Sequence, residues 1–367
     1  MSPVITAMSV ISPFGLGADA FTRGVLAGRT ALAAVDPSAE LPYAAAGVVE
    51  EFDLAAVIGN DAKNLAALGR AASLAVGTAG LLLRCHDLAE YPATSKAVVL
   101  GGDLIATDRA MALTRQSLTS PQPFQVDTKA FPSSVMNNSA AQCAIRFGLR
   151  GPNTTVTTGR MTGLSVLAYA RRLHLRGRAP AVLVAAVEDL TPRRSWLTWH
   201  GHGARSADPL GEGCCVFLLE SAEAAAEHGR VPLAEPLALE FGVAPHPDAA
   251  AEVLAARIRR ALDAVRGSVT EVSSIVVSRR CAVAERLAVA DLFGRDRQVI
   301  EPACLIGDTD GASAAFQLAT AIAHASASDS IALVTSADPD GNVGCGLFRI
   351  SAAVSCLEHR RTRGDKT

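Results

Sequence analysis

The sequence predicts a layered α/β fold, and three observations carry that expectation. Apolar, strand-like runs alternate with helical stretches about five or six times in the first ~230 residues, the pattern of sheets covered by helices. The rest of the chain repeats the alternation without repeating the sequence. With 367 residues, 49% of them hydrophobic and only 19% charged, the chain can bury a large core, and part of its surface is expected to be covered by a partner.

Taken in order, Val4 to Gly17 reads as a short strand followed by a Gly/Pro turn, and Asp19 to Gly28 as a helix closed by glycine. Leu65 to Leu83, rich in Ala and Leu, predicts a long buried helix. Lys96 to Gly102 is a buried strand ending in two glycines, and Pro121 to Phe131 is irregular. Asn137 to Phe147 leads directly into Gly148-Leu-Arg-Gly-Pro152. The β-branched run Thr154 to Thr158 favours extended backbone, Gly159 permits a sharp bend, and a helix starts near Gly163. Ala179 to Glu188 is another buried strand. Beyond them come an amphipathic helix at Ala249–Val265, a strand at Ser273–Ser278 and a helix at Ala282–Phe293. A nearly all-apolar helix at Ala312–Ala325 and a closing antiparallel pair, Ser330–Thr335 with Val343–Ile350, complete the plan.

Charge and cysteine use exclude several functions. Lys+Arg 34 against Asp+Glu 36 gives no reason to expect nucleic acid. No apolar run reaches membrane-spanning length and no basic leader precedes one, so a cytoplasmic location with no membrane partner is expected. The cysteines (85, 143, 214, 215, 281, 304, 345 and 356) lack paired metal-ligand spacing and read as reduced thiols. His200 and His202 flank a glycine at a metal-like spacing, but no cysteine or carboxylate motif accompanies them. Neither a metal nor a cofactor is expected.

A strand-to-helix elbow often presents a nucleophile where a helix dipole stabilises a developing anion. The elbow Thr158-Gly-Arg-Met-Thr-Gly-Leu164 resembles that of the β-ketoacyl synthases, condensing enzymes of fatty acid and polyketide assembly, which read Thr-Ala-Cys-Ser-Ser-Gly-Leu there. Gly211-Glu-Gly-Cys-Cys-Val-Phe-Leu-Leu-Glu220 and the Gly148 to Pro152 lead-in resemble other segments of that family. The resemblance covers essentially the whole chain. It implies a thiolase fold of two βαβαβ halves in five layers, α-β-α-β-α: residues 1–230 with the elbow, residues 231–355, and a charged tail at 356–367.

The same resemblance implies that the chemistry is gone. Arg160 stands where the family has its acylated cysteine, and a guanidinium that stays protonated is no nucleophile. Arg279 and Asp308 stand where the family's two histidines belong, Ala303 replaces a lysine, and the Gly-Phe-Gly-Gly loop has become Ala337-Asp-Pro-Asp-Gly341. No catalytic residue is therefore expected. A nucleophile relocated to Cys281 or Cys304, or to Thr157, Thr158 or Thr162, lacks a visible base. Arg160 must find carboxylates if buried. Either it pairs with Asp308 across the pocket, or each has other partners or water.

Type II polyketide synthases contain such a subunit. The chain length factor resembles its catalytic ketosynthase partner but lacks the cysteine, forms a heterodimer with it and shapes the tunnel for a chain carried by an acyl carrier protein. The loss of both histidines points to a divergent branch serving reduced or polyene chains. By this resemblance Asn153, Thr154, Thr155, Val156, Thr157 and Thr158, with Met136 and Asn137, form the dimer interface. Asp103, Ala106, Ala110, Ala130 and Phe131 sit at the tunnel gate. Arg171, Arg172, Arg176 and Arg178 are either a docking patch for the acidic carrier or a solvated face. The alternatives are an acyl-transferring or hydrolysing enzyme with a relocated nucleophile, and a homodimeric acyl-binding scaffold.

Overall fold

Every residue of β1 (Pro3–Ser12) is buried except Met8, which marks it as an inner strand of a covered sheet. The structure is a computed structural model. It describes residues 2–58, 65, 68–122, 124–201, 208–278, 283–325 and 330–351. Arg279, Cys281, His202 and the charged tail lie outside them.

After β1 come the two-residue β2 (Gly15–Leu16), α1 (Ala18–Leu26), a small ribbon of β3 (Ala33–Ala34) with β4 (Ala45–Ala46), and α2 (Leu54–Ile58). Then follow α3 (Arg70–Cys85), β5 (Lys96–Gly101), α4 (Thr107–Thr119), α5 (Asn138–Phe147), β6 (Asn153–Val156) and α6 (Thr162–Leu175). β7 (Ala181–Glu188), α7 (Pro192–Gly201), β8 (Gly213–Ser221) and α8 (Ala222–Glu227) end this set. Its strands lie in the order β6-β5-β7-β8-β1. β5 runs parallel to β6 and β7, whereas β8 is antiparallel to β7 and β1.

The second set has the same plan. It comprises β9 (Ala234–Val243), α9 (Ala250–Ala264), β10 (Val272–Val276), α10 (Val283–Phe293), α11 (Ala303–Ile306), α12 (Ser313–Ala323), β11 (Ser330–Ala337) and β12 (Asn342–Ile350). The order is β10-β11-β12-β9, with β10 parallel to β11 and the other pairs antiparallel. A parallel bridge from Val276 to Ile300 sits beside β10 as β6 sits beside β5. The two sheets meet through one residue pair, Ile5 with Ala234.

Strand alternation sorts the side chains into three apolar layers. Val98 and Leu100 face the outer helices α3 and α5, whose Leu74, Val76, Ala140 and Cys143 cover them. Val99, Val182 and Val184 face a middle layer containing Leu164 and Leu167 of α6 and Phe316 and Leu318 of α12. On the far side Ile275, Leu333 and Leu347 are covered by Leu254 and Ile258 of α9 and Val289 of α10. Three helix layers around two sheets make the five-layer α/β arrangement expected. Each buried Leu or Phe contributes ~1.5–3 kcal/mol relative to exposure.

Several elements depart from the sequence reading. α3 starts at Arg70 rather than Leu65, because Gly69 holds φ +78, which interrupts a right-handed helix. α4 and α7 were not anticipated; both are polar and short of buried apolar positions. β9 was missed because Pro236 reads as a strand breaker. In the structure Pro236 sits where the β9–β12 register shifts, between the Leu347–Ala238 and Phe348–Pro236 pairs, so its missing N–H costs little.

Candidate functional site

The duplicated plan brings two turns together, the elbow between β6 and α6 and the 307–312 turn before α12. Their helices pack closely in the middle layer: a Cβ on Gly163 would stand 2.5 Å from the Ala315 nitrogen. At the elbow Gly159 takes φ +59. The Thr162 hydroxyl donates to the Gly159 carbonyl (2.7 Å) and accepts the Thr158 N–H (2.9 Å), which fixes the turn.

Arg160, only 1% exposed, reaches from this elbow to the opposite turn. Its Nη1 and Nη2 donate to Asp308 Oδ1 and Oδ2 at 2.7 and 2.6 Å, a two-pronged charge-assisted pair. Asp310 Oδ1 lies 3.5 Å from Nη2, and Asp338 Oδ1 lies 3.9 Å from Nε. The Arg160 backbone N–H donates to both Asp338 carboxylate oxygens, at 3.1 and 3.2 Å. Asp308 Oδ1 also accepts the Asp310 N–H (3.0 Å). Of the two partnerships left open for Arg160 and Asp308, pairing is the one found.

This arrangement answers a cost. A cation at a helix N-terminus opposes the dipole by ~0.3–1 kcal/mol, and each buried ion loses several kcal/mol of hydration. The three aspartates offset both, and Asp338 places negative charge where the head of α6 favours it. Crowding then moves the acids. Burial pushes the Asp338 carboxyl up to about 7, with Asp310 and Asp103 adding to the rise and Arg160 opposing it. The Arg160 guanidinium is desolvated, but its aspartates outweigh that and raise its pKa.

A second buried cation, unforeseen in the sequence, stands behind the first. Arg194 of α7 is fully buried and donates through Nη1 to the carbonyls of Asp189 (2.6 Å) and Gly211 (3.1 Å). Its Nε lies 3.9 Å from Glu188 Oε1, and its Nη2 lies 4.0 Å from Asp310 Oδ2. Burial pushes Glu188 up to about 8 against the pull of Arg194. Nothing in the sequence separates Arg194 from Arg193, which is half-buried and pairs with Asp108. Glu188 carried one faint signal, an acid ending an otherwise apolar strand.

Hydrogen bonds described at the elbow run to aspartate, threonine and serine. Thr158 donates to Ser165 (2.8 Å), which is no base, and Thr157 donates to the Asp103 carboxylate only at the long distance of 3.3 Å. Cys304 is exposed beside Glu301, 3.5 Å away, and the thiols of Cys143 and Cys345 are pushed up to about 12 by burial. An acyl-transfer site needs a nucleophile and free N–H donors for the oxyanion. Here a guanidinium holds the first position and a carboxylate occupies the elbow N–H. Among the described residues no cluster of His, Cys, Asp and Glu has metal-site geometry, and no helix is long and apolar enough to cross a membrane.

The expected gate residues follow β5. Asp103 donates its backbone N–H to Glu188, Ala106 holds φ +69 at the head of α4, and Ala110 is half-buried on that helix. Ala106 lines a cleft of about 230 Å³ with Leu68, Arg70, Arg109, Ser133 and Asp189. Ala130 is half-buried and Phe131 is 58% exposed. Along the expected interface, β6 is the last strand of its sheet and, among the described residues, pairs only with β5. Met136, Asn137, Asn153, Thr157 and Thr158 are exposed, and Thr154, Thr155 and Val156 are half-buried. Met111 and Leu118 on α4, Ile145 on α5, and Phe124 and Phe131 between them are exposed apolar residues. Arg172, Arg176 and Arg178 are exposed, with Arg172 stacked over Tyr169.

Comparison with known proteins agrees with this geometry. Residues 2–225 match the N-terminal domain of β-ketoacyl synthases. A putative polyketide β-ketoacyl synthase 2 of Streptomyces halstedii is 29% identical over 87% of this chain and 84% of its own length. The 3-oxoacyl-[acyl-carrier-protein] synthase 2 of Vibrio cholerae is 27% identical over 63% of this chain, and the match spans 61% of that enzyme's length. Among solved structures, the ishigamide ketosynthase/chain length factor is 35% identical, with a TM-score of 0.85 over 96% of this chain and 100% of the other.

Proposed function

The chain belongs to the β-ketoacyl synthase family, and from that premise we propose that it is a chain length factor, a subunit that makes no bonds itself. In this reading it pairs with an active ketosynthase in the cytoplasm. It shapes the tunnel into which a carrier-protein-bound polyketide grows by decarboxylative Claisen condensation. The observation that carries the reading is Arg160 locked onto Asp308 at the elbow, with Asp338 on the elbow N–H. A site so filled can neither accept an acyl group nor stabilise its oxyanion. The names of the Streptomyces relative and of the ishigamide structure support the same assignment.

The free edge of β6 and the exposed apolar residues of α4, α5 and the segment between them support the interface. Such a patch favours a protein partner, and an unpaired edge favours a second strand. Asp103, Ala106, Ala110, Ala130 and Phe131 remain the proposed gate. Small side chains at 106 and 110 leave room for a long chain, so Ala110→Phe should shorten the products.

The test is co-expression with the ketosynthase encoded beside it. A 1:1 complex is expected in which an acyl-thioester analogue labels only the partner. A chain that is a stable homodimer and takes the label itself would be an acyl-transferring enzyme instead; a homodimer that takes none would be a scaffold.

A further inference from the structure

The buried charges do more than fill the elbow, because they continue to the root of the gate. From Arg160 the line runs through Asp310 (3.5 Å) to Arg194 (4.0 Å) and on to Glu188 (3.9 Å). Glu188 ends it by accepting the backbone N–H groups of Asp103 (2.8 Å) and Leu104 (3.1 Å), the first residues of the gate segment. The Asp103 carboxylate in turn accepts the Thr157 hydroxyl from the elbow side (3.3 Å). Packing repeats the connection: a Cβ on Gly311 would collide with the Asp103 nitrogen and stand 2.8 Å from Glu188 Oε2. Two of the four non-glycine residues with positive φ among those described flank this line, Asp310 (φ +45) and Ala106 (φ +69). Backbone held in such conformations persists only where its surroundings fix it.

We propose that Glu188 and Arg194 are positioning residues that hold the 103–106 segment at a fixed depth and thereby set the length of chain the gate admits. The proposal rests on the chain-length-factor reading above. Glu188 supplies two acceptors to adjacent N–H groups, one carboxyl oxygen to each. Arg194 faces that carboxyl at 3.9 Å and draws it by charge, while its Nη1 is tied to two backbone carbonyls. Without them the root is unpinned, and the cleft beside Ala106 loses its fixed wall.

The test compares reconstituted complexes carrying Glu188→Gln, Arg194→Lys, Ala110→Phe and, as control, Glu220→Gln. Glu220 is equally buried, and it lies near the other end of β8 from the Gly213 that pairs with Glu188. Product lengths are read by mass spectrometry, and amide exchange at Asp103 and Leu104 by deuterium uptake. Glu188→Gln and Arg194→Lys are expected to raise the share of chains differing from the main product at least threefold. Exchange at both amides should speed up about tenfold, while Glu220→Gln changes neither. Unchanged lengths in both variants, with Ala110→Phe still shortening the products, would overturn this inference and leave the tunnel reading standing. Unchanged lengths in Ala110→Phe as well would remove the tunnel reading and the inference with it. If neither Glu188→Gln nor Arg194→Lys forms the complex, the charges serve the fold alone, and the proposal is overturned.

Discussion

Arg160 shows how a buried cation is made tolerable at the head of a helix. Replacing it by methionine leaves Asp308 buried without its counter-ion, so Arg160→Met should cost about 3–5 kcal/mol in urea denaturation. Adding Asp308→Asn, which removes the stranded charge, should recover much of that loss. Acidity follows from the same crowding. Asp338 goes from an ordinary value of 3.8 to about 7 in the fold, so between those values the folded chain keeps a proton that the unfolded chain releases. Stability therefore falls as pH rises through that window, and Glu188, at about 8, extends the fall. Asp338→Asn should flatten the part below pH 7 when melting temperature is followed from pH 5 to 8. At this scale the sequence disclosed Arg160 and Asp308, because a family pattern marks their positions. It did not disclose Asp310, Asp338 and Arg194 as partners, since charged residues in turns and polar helices look alike until folding buries some of them.

The elements were most legible where burial leaves a plain pattern. β5, β7 and β8 are unbroken apolar runs, and the Thr154 to Gly163 stretch announced its elbow through β-branched residues and a glycine. β9 and α4 were not legible, one because Pro236 hides at a register shift and the other because none of its apolar residues is fully buried. β6 yields a prediction. Pro152 turns its carbonyl to β5, so by alternation Asn153 and Thr155 direct their N–H groups to the free edge. Thr155→Pro then spares the chain's own ladder and removes a donor from any strand pairing across the edge. It should weaken the proposed heterodimer at least tenfold in analytical ultracentrifugation, with the isolated subunit melting within a few degrees of wild type.

At the scale of the whole molecule, duplication is what makes the site. Each half delivers a turn and a helix to the middle layer, so residues 148 positions apart meet as a bidentate pair. The general α/β plan was readable from alternation alone, whereas the five-layer arrangement came from resemblance, since periodicity does not say which sheet faces which. The half-open state of β6 has a consequence for how the protein is made. A strand with one bare side pairs with whatever arrives first, including another copy of itself. Recovery of dispersed material should accordingly rise with the dose of the proposed companion polypeptide during synthesis, and a surplus of this chain at high concentration should lose part of itself to sediment.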